Sequence, residues 1–72
     1  MPEQIIKLYN INHLKLELNQ IKKNYHVRSF NGFYSKLIIK CSFSQGNNNI
    51  FVSYLFSNKT YYSLFKKELE QL

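Results

Sequence analysis

Tyr34, Lys36, Lys40 and Ser42 fall in one phase of an alternating apolar-polar run, the spacing that places side chains on a single face of a β-strand. Bases stack on aromatic rings and phosphates pair with ammonium groups. A face that interleaves the two is the physical form of a platform for single-stranded nucleic acid. Arg28 upstream, with Lys22 and Lys23, completes the candidate nucleic-acid-binding set. A plainly solvated strand has the same appearance, because tyrosine favours strands while lysine and serine favour water. Lys15, Lys22, Lys23, Lys66 and Lys67 equally fit an ordinary wetted helix surface. Phe51, Leu55 and Tyr54 form a second candidate set, for a protein partner or a second copy of the chain, since aromatic anchors dominate protein interfaces.

Catalytic chemistry has little to work with. Gly32 and Gly46 are the only glycines, and a turn explains each without a phosphate cradle. Glu68 and Glu70, two apart on a helix, point in different directions, and Glu3 and Glu17 have no partner at acid/base spacing. His13 precedes Glu17 by one helical turn, an ordinary surface pair. His26, beside Tyr25 and near Arg28, can be drawn as the base of a nuclease-like site. The glycine-serine-histidine segment expected in one class of small RNase toxins is missing, however. Cys41 occupies an apolar strand position and is expected to be a buried thiol. A lone cysteine and two histidines leave no disulfide and no metal spacing. No enzyme activity, cofactor or metal is expected.

Composition sets the kind of partner. The net charge of +6 comes from nine lysines and Arg28 against Glu3, Glu17, Glu68 and Glu70, and it favours an acidic partner such as nucleic acid or a nucleoprotein complex. Charged residues are only 19% of the chain and aromatics 17%, so aromatic surface must share the work. Asn, Lys, Ile, Tyr and Phe make up about half of the sequence, which points to an AT-rich genome such as that of a low-GC bacterium, its phages and plasmids, or an organelle. Nothing from Met1 to Asn10 reads as a secretion signal, and the apolar runs Leu37-Ile38-Ile39 and Ile50-Phe51-Val52 are too short to cross a bilayer. A soluble protein of the cytoplasm or an organelle matrix, without membrane contact, is expected.

The elements that must position these residues make one α+β domain spanning residues 1–72. Residues Glu3 to Tyr9 are ambiguous, a possible edge strand. Asn10 or Asn12 can cap a helix in which Ile11, Leu14, Leu18, Ile21 and Tyr25 form one apolar stripe. His26 to Phe30 reads as a strand, Asn31-Gly32 as a two-residue type I′ turn, and Phe33 to Ser44 as a second strand. In that strand Phe33, Leu37, Ile39, Cys41 and Phe43 are apolar on one face, with Ile38 an exception on the other. Gln45 to Asn49 is a polar loop. Ile50 to Ser57 is a third strand, with Ile50, Val52, Tyr54 and Phe56 on one face and Phe51 and Leu55 on the other. Ser57, Asn58 or Thr60 can cap a last helix striped by Tyr61, Phe65, Leu69 and Leu72. The expected fold is α-β-β-β-α, a three-stranded antiparallel sheet with both helices on one face and an optional N-terminal edge strand. Leu14, Leu18, Ile21, Leu37, Ile39, Phe65 and Leu69 should form the core.

Double-stranded RNA-binding domains share that element order. Their second helix begins with a lysine cluster, whereas here it begins Asn58-Lys59-Thr60-Tyr61-Tyr62. Order without motif transfers no function. Two functions therefore remain: a noncatalytic basic module for nucleic acid or a nucleic-acid-handling complex, and an inhibitor or adaptor from a phage or plasmid that acts on a larger protein.

Overall fold

Two asparagines start the two helices of the computed structural model, which describes residues 3–72. The Asn10 side-chain oxygen accepts from the backbone N–H groups of Asn12 at 2.8 Å and His13 at 3.3 Å, opening α1, Ile11–Asn24. Asn58 does the same for Tyr61 at 2.8 Å and opens α2, Lys59–Glu70. Each cap satisfies donors that the first helical turn otherwise leaves unpaired. Lys22 and Lys23 in the last turn of α1 complement the negative end of its dipole.

Four strands follow the order β1-β4-β3-β2, where β1 is Gln4–Leu8, β2 His26–Phe33, β3 Ile38–Gln45 and β4 Asn48–Phe56. The three later strands are antiparallel neighbours, and β1 lies parallel to β4 at the edge. The sheet is therefore mixed and four-stranded rather than three-stranded and antiparallel. Leu8, fully buried beneath the helices, anchors the short N-terminal segment as that fourth strand.

One core joins both helices to one face of the sheet. Leu14, Leu18 and Ile21 of α1 and Tyr62, Phe65 and Leu69 of α2 are buried with Ile39, Cys41, Phe43, Val52, Tyr54 and Phe56. Rings supply much of the packing. Tyr25 stacks on Phe43 at 5.3 Å between centroids, and Phe65 meets Tyr54 at 4.7 Å and Phe56 at 5.3 Å. A bridge from Lys22 Nζ to Glu68 Oε1 at 3.1 Å ties the helices at their surface, where such a pair contributes about 0–1 kcal/mol.

Three local expectations fail for identifiable reasons. The stripe of α2 runs through Tyr62 rather than Tyr61, and Leu72 lies beyond the helix end and is exposed. Asn31 and Gly32 are not a turn: they belong to β2, where Asn31 pairs with Lys40 and Gly32 with Ile39. Gly32 serves a close approach instead, since a Cβ there would overlap the Tyr62 hydroxyl and stand 3.1 Å from its ring carbon Cζ. The tight hairpin lies at Gly46-Asn47, between paired Gln45 and Asn48. Gly46 has φ of 60° while Asn47 is not in the positive region, the pattern of a type II′ turn with glycine first.

The third failure sets the geometry of the site. Between β2 and β3 the chain makes a 3-10 turn over Tyr34–Lys36, and Leu37 follows in the left-handed region at φ 55°. Leu37 is therefore a half-buried turn residue rather than a central core residue. The alternation that runs from Ile39 through Phe43 does not extend back to Phe33. Phe33 pairs with Ile38, and both side chains lie on the face away from the helices.

Candidate nucleic-acid interface

Cross-strand partners share a face, so the register builds the open side of the sheet row by row. One row is Lys7, Leu55, Ile38 and Phe33, and the next is Ile5, Ser53, Lys40 and Asn31. Phe51, Ser42 and Ser29 make a third, and Asn49, Ser44 and His26 a fourth. Among the described residues no helix covers these rows. Ile5 is 66% exposed, Phe51 44% and Phe33 42%, high values for large apolar side chains.

Cations stand among them. Lys40 Nζ lies 5.9 Å from the centroid of the Phe33 ring, within cation-π range. Phe33, Lys36, Ile38 and Lys40 line a shallow depression of 120 Å³. The register shift between Val27 and Ser29 leaves Arg28 without a ladder partner. Its guanidinium reaches past β3, donating from Nη1 to Asn49 Oδ1 on β4 at 2.6 Å. A bulge that re-aims one side chain is the usual effect of such a shift. Lys7 completes the cationic set on β1.

Glu3 is the acidic group at this face, and it is engaged: Ser53, buried at the centre of the open side, donates its hydroxyl to Glu3 Oε2 at 2.7 Å. Glu17, Glu68 and Glu70 all belong to the helices.

The sequence-derived set is thus partly assembled and partly dispersed. Lys36, Lys40 and Arg28 come together with Phe51 and Leu55 on or beside the open face. Tyr34 does not join them. The 3-10 turn swings its ring, 52% exposed, to the helix side, where it meets Tyr62 edge-on at 5.3 Å between centroids. Lys59 Nζ of α2 lies 5.2 Å from that ring. Lys22 and Lys23 sit on α1, in the layer behind the sheet, and Lys22 is held by Glu68. Tyr54, grouped with Phe51 and Leu55 as partner-binding, is a core residue at 1% exposure because its phase on β4 is the opposite one.

Phe33, Ile5 and Lys7 are the open-face residues that sequence patterning misses. The even spacing from Leu37 puts Phe33 on the apolar face of the expected strand, and the signal that could have placed it on the other face is Ile38. An apolar residue out of phase beside a lysine marks a second apolar surface on the same strand.

Two groups have clearly displaced proton affinities, and both lie under the helices. Burial pushes the Cys41 thiol up to about 12. Burial first, and then the neighbouring Glu17 carboxylate, drives the Tyr54 phenol far above its ordinary value. Each is held neutral in the core and serves packing. Among the described residues no group of three or more His, Cys, Asp or Glu is placed to hold a metal ion. No helix among them is long and apolar enough to cross a membrane. Compared with known proteins, the chain matches no family model, no curated protein and no solved structure.

Proposed function

We propose that this protein is a noncatalytic binding module whose open sheet face engages single-stranded nucleic acid, free or within a nucleoprotein complex. The observation that carries this is the coexistence of exposed Phe33 and Phe51 with Lys7, Arg28 and Lys40 on one uncovered face that holds a single acid. Rings provide sequence-tolerant stacking and cations provide phosphate pairing. A duplex suits the face less well, because its bases are stacked inside and cannot reach the rings.

Ile5 favours a second reading. Together with Ile38 and Leu55 it gives the patch an aliphatic side, which suits a protein-binding inhibitor or adaptor. A face-to-face homodimer is the least favourable form of that reading, since it would set Lys7, Lys40 and Arg28 against their own copies.

Fluorescence anisotropy with labelled single-stranded RNA and DNA at a series of salt concentrations tests the proposal. Binding should fall log-linearly with salt. Phe33→Ala and Phe51→Ala should each cost about 1–3 kcal/mol with an unchanged slope. Lys40→Ala should reduce the magnitude of the slope by about 0.7. Absence of binding to every single strand at low salt would remove the nucleic-acid reading and leave the protein partner.

A further inference from the structure

Phe33 and Tyr34 are consecutive, yet the turn after β2 sends them to opposite sides of the sheet. Each exposed ring has a lysine beside it: Lys40 at 5.9 Å from the Phe33 centroid, Lys59 at 5.2 Å from that of Tyr34. Lys36 stands in the turn that separates them, exposed and lining the depression beside Phe33. No carboxylate lies in the segment from Phe33 to Lys40, and none lies in the first turn of α2. A ring with a lysine beside it thus stands on each side of this turn.

We propose that Tyr34 and Lys59 form a second subsite for the same single strand, which leaves the open face at Phe33, passes Lys36 and turns onto the start of α2. This rests on the nucleic-acid function proposed above. Tyr34 would stack on a base beyond the one at Phe33, with Lys59 pairing with the adjoining phosphate. The Tyr62 ring, buried and meeting Tyr34 edge-on at 5.3 Å, gives the exposed ring a packed neighbour, which lowers the ordering cost of stacking.

A length series of oligonucleotides, from about 4 to about 16 nucleotides, reads the subsite directly. The wild-type protein should gain affinity with length until both subsites are filled. In Tyr34→Ala the longest strands should bind about 5- to 150-fold more weakly while the shortest are unaffected. Tyr34→Phe, which keeps the ring, should behave as wild type. Lys59→Gln, a surface change that leaves the Tyr34-Tyr62 contact intact, should lower the salt slope by about 0.7 for long strands only. If Tyr34→Ala and Lys59→Gln track the wild type at every length while Phe33→Ala weakens all strands, the subsite is refuted and the open-face platform stands. Wild-type protein that binds no strand of any length refutes both.

Discussion

Under the helices the sheet presents Ile39, Cys41, Phe43, Val52, Tyr54 and Phe56, all buried. Its other side presents Ile5, Phe33, Ile38, Phe51 and Leu55, interrupted by Lys7, Lys40 and serines, with no element among the described residues above them. Both faces are rich in large apolar side chains, but only one of them is packed beneath the helices. A small domain needs most of its apolar surface inside, and the covered face with two helices already forms a continuous core. The apolar residues of the open face lie outside that core. Exposed apolar surface of that kind is the observation on which the proposed binding role rests.

The sharpest way to break this division is to delete a large ring from the covered side. Phe65 is fully buried between Tyr54 and Phe56. Phe65→Ala should cost about 3–5 kcal/mol, enough to unfold much of a domain of this size. Urea denaturation followed by circular dichroism measures it. A midpoint barely moved would mean that the core does not depend on α2 as described.

Alkaline titration probes the same face by another route. The Cys41 thiol has an ordinary value of 9.0 and is pushed up to about 12 by burial. Between those values the unfolded chain has released the proton and the folded chain holds it, so stability is present below pH 9.0 and is lost as pH rises through the folded value. The slope from this one group is at most about 1.4 kcal/mol per pH unit, and Tyr54, also raised, steepens it above its own ordinary value of 10.0. Cys41→Ala should flatten the fall in melting temperature between pH 9.0 and pH 10.0. An equally steep fall in that variant would show that the thiol is not buried as a neutral group.

Gly32 joins the two regions, because its backbone lies in β2 while the space its side chain would fill is taken by the Tyr62 hydroxyl. Gly32→Ala should destabilise by about 1–3 kcal/mol through overpacking. Tyr62→Phe in the same chain removes the clashing oxygen and should recover part of the loss. Equal stability of the single and double variants would show that the glycine answers to something other than this contact.

Gly32 also shows where sequence patterning stops. Asn-Gly is a strong hairpin signal locally, but a glycine can be required by a neighbour 30 positions away, Tyr62, which no local pattern reveals. The stripe of α1 was legible because Leu14, Leu18 and Ile21 repeat at helical spacing and Asn10 is a strong cap. The strand phase from Ile39 to Phe43 was legible for the same kind of reason. Its extension back to Phe33 was not, since Tyr34–Lys36 leave the extended conformation and Leu37 takes a positive φ rare for leucine. That one turn exchanged Tyr34 for Phe33 on the open face. Lys40, Phe51 and Leu55 lie outside that turn, so strand alternation puts them on the open face, whereas Arg28 reaches it through the register shift after Val27.

The smallest expected effect on stability is on the open face itself. Phe51 is 44% exposed, and its cross-strand neighbour on that face is Ser42. Phe51→Ala should change stability by less than about 1 kcal/mol, since surface changes away from caps, cavities and buried polar groups usually fall within about 0.5 kcal/mol. The same substitution at Phe65, a ring of identical chemistry on the other side of the sheet, differs only in what surrounds it. Measuring both in one urea series sets the two faces against each other with side-chain type held constant. A large loss at Phe51 would mean that the open face contributes to folding, and the case for its role in binding would weaken accordingly. A small loss leaves a ring that the fold does not need, in the setting where a ligand would use it.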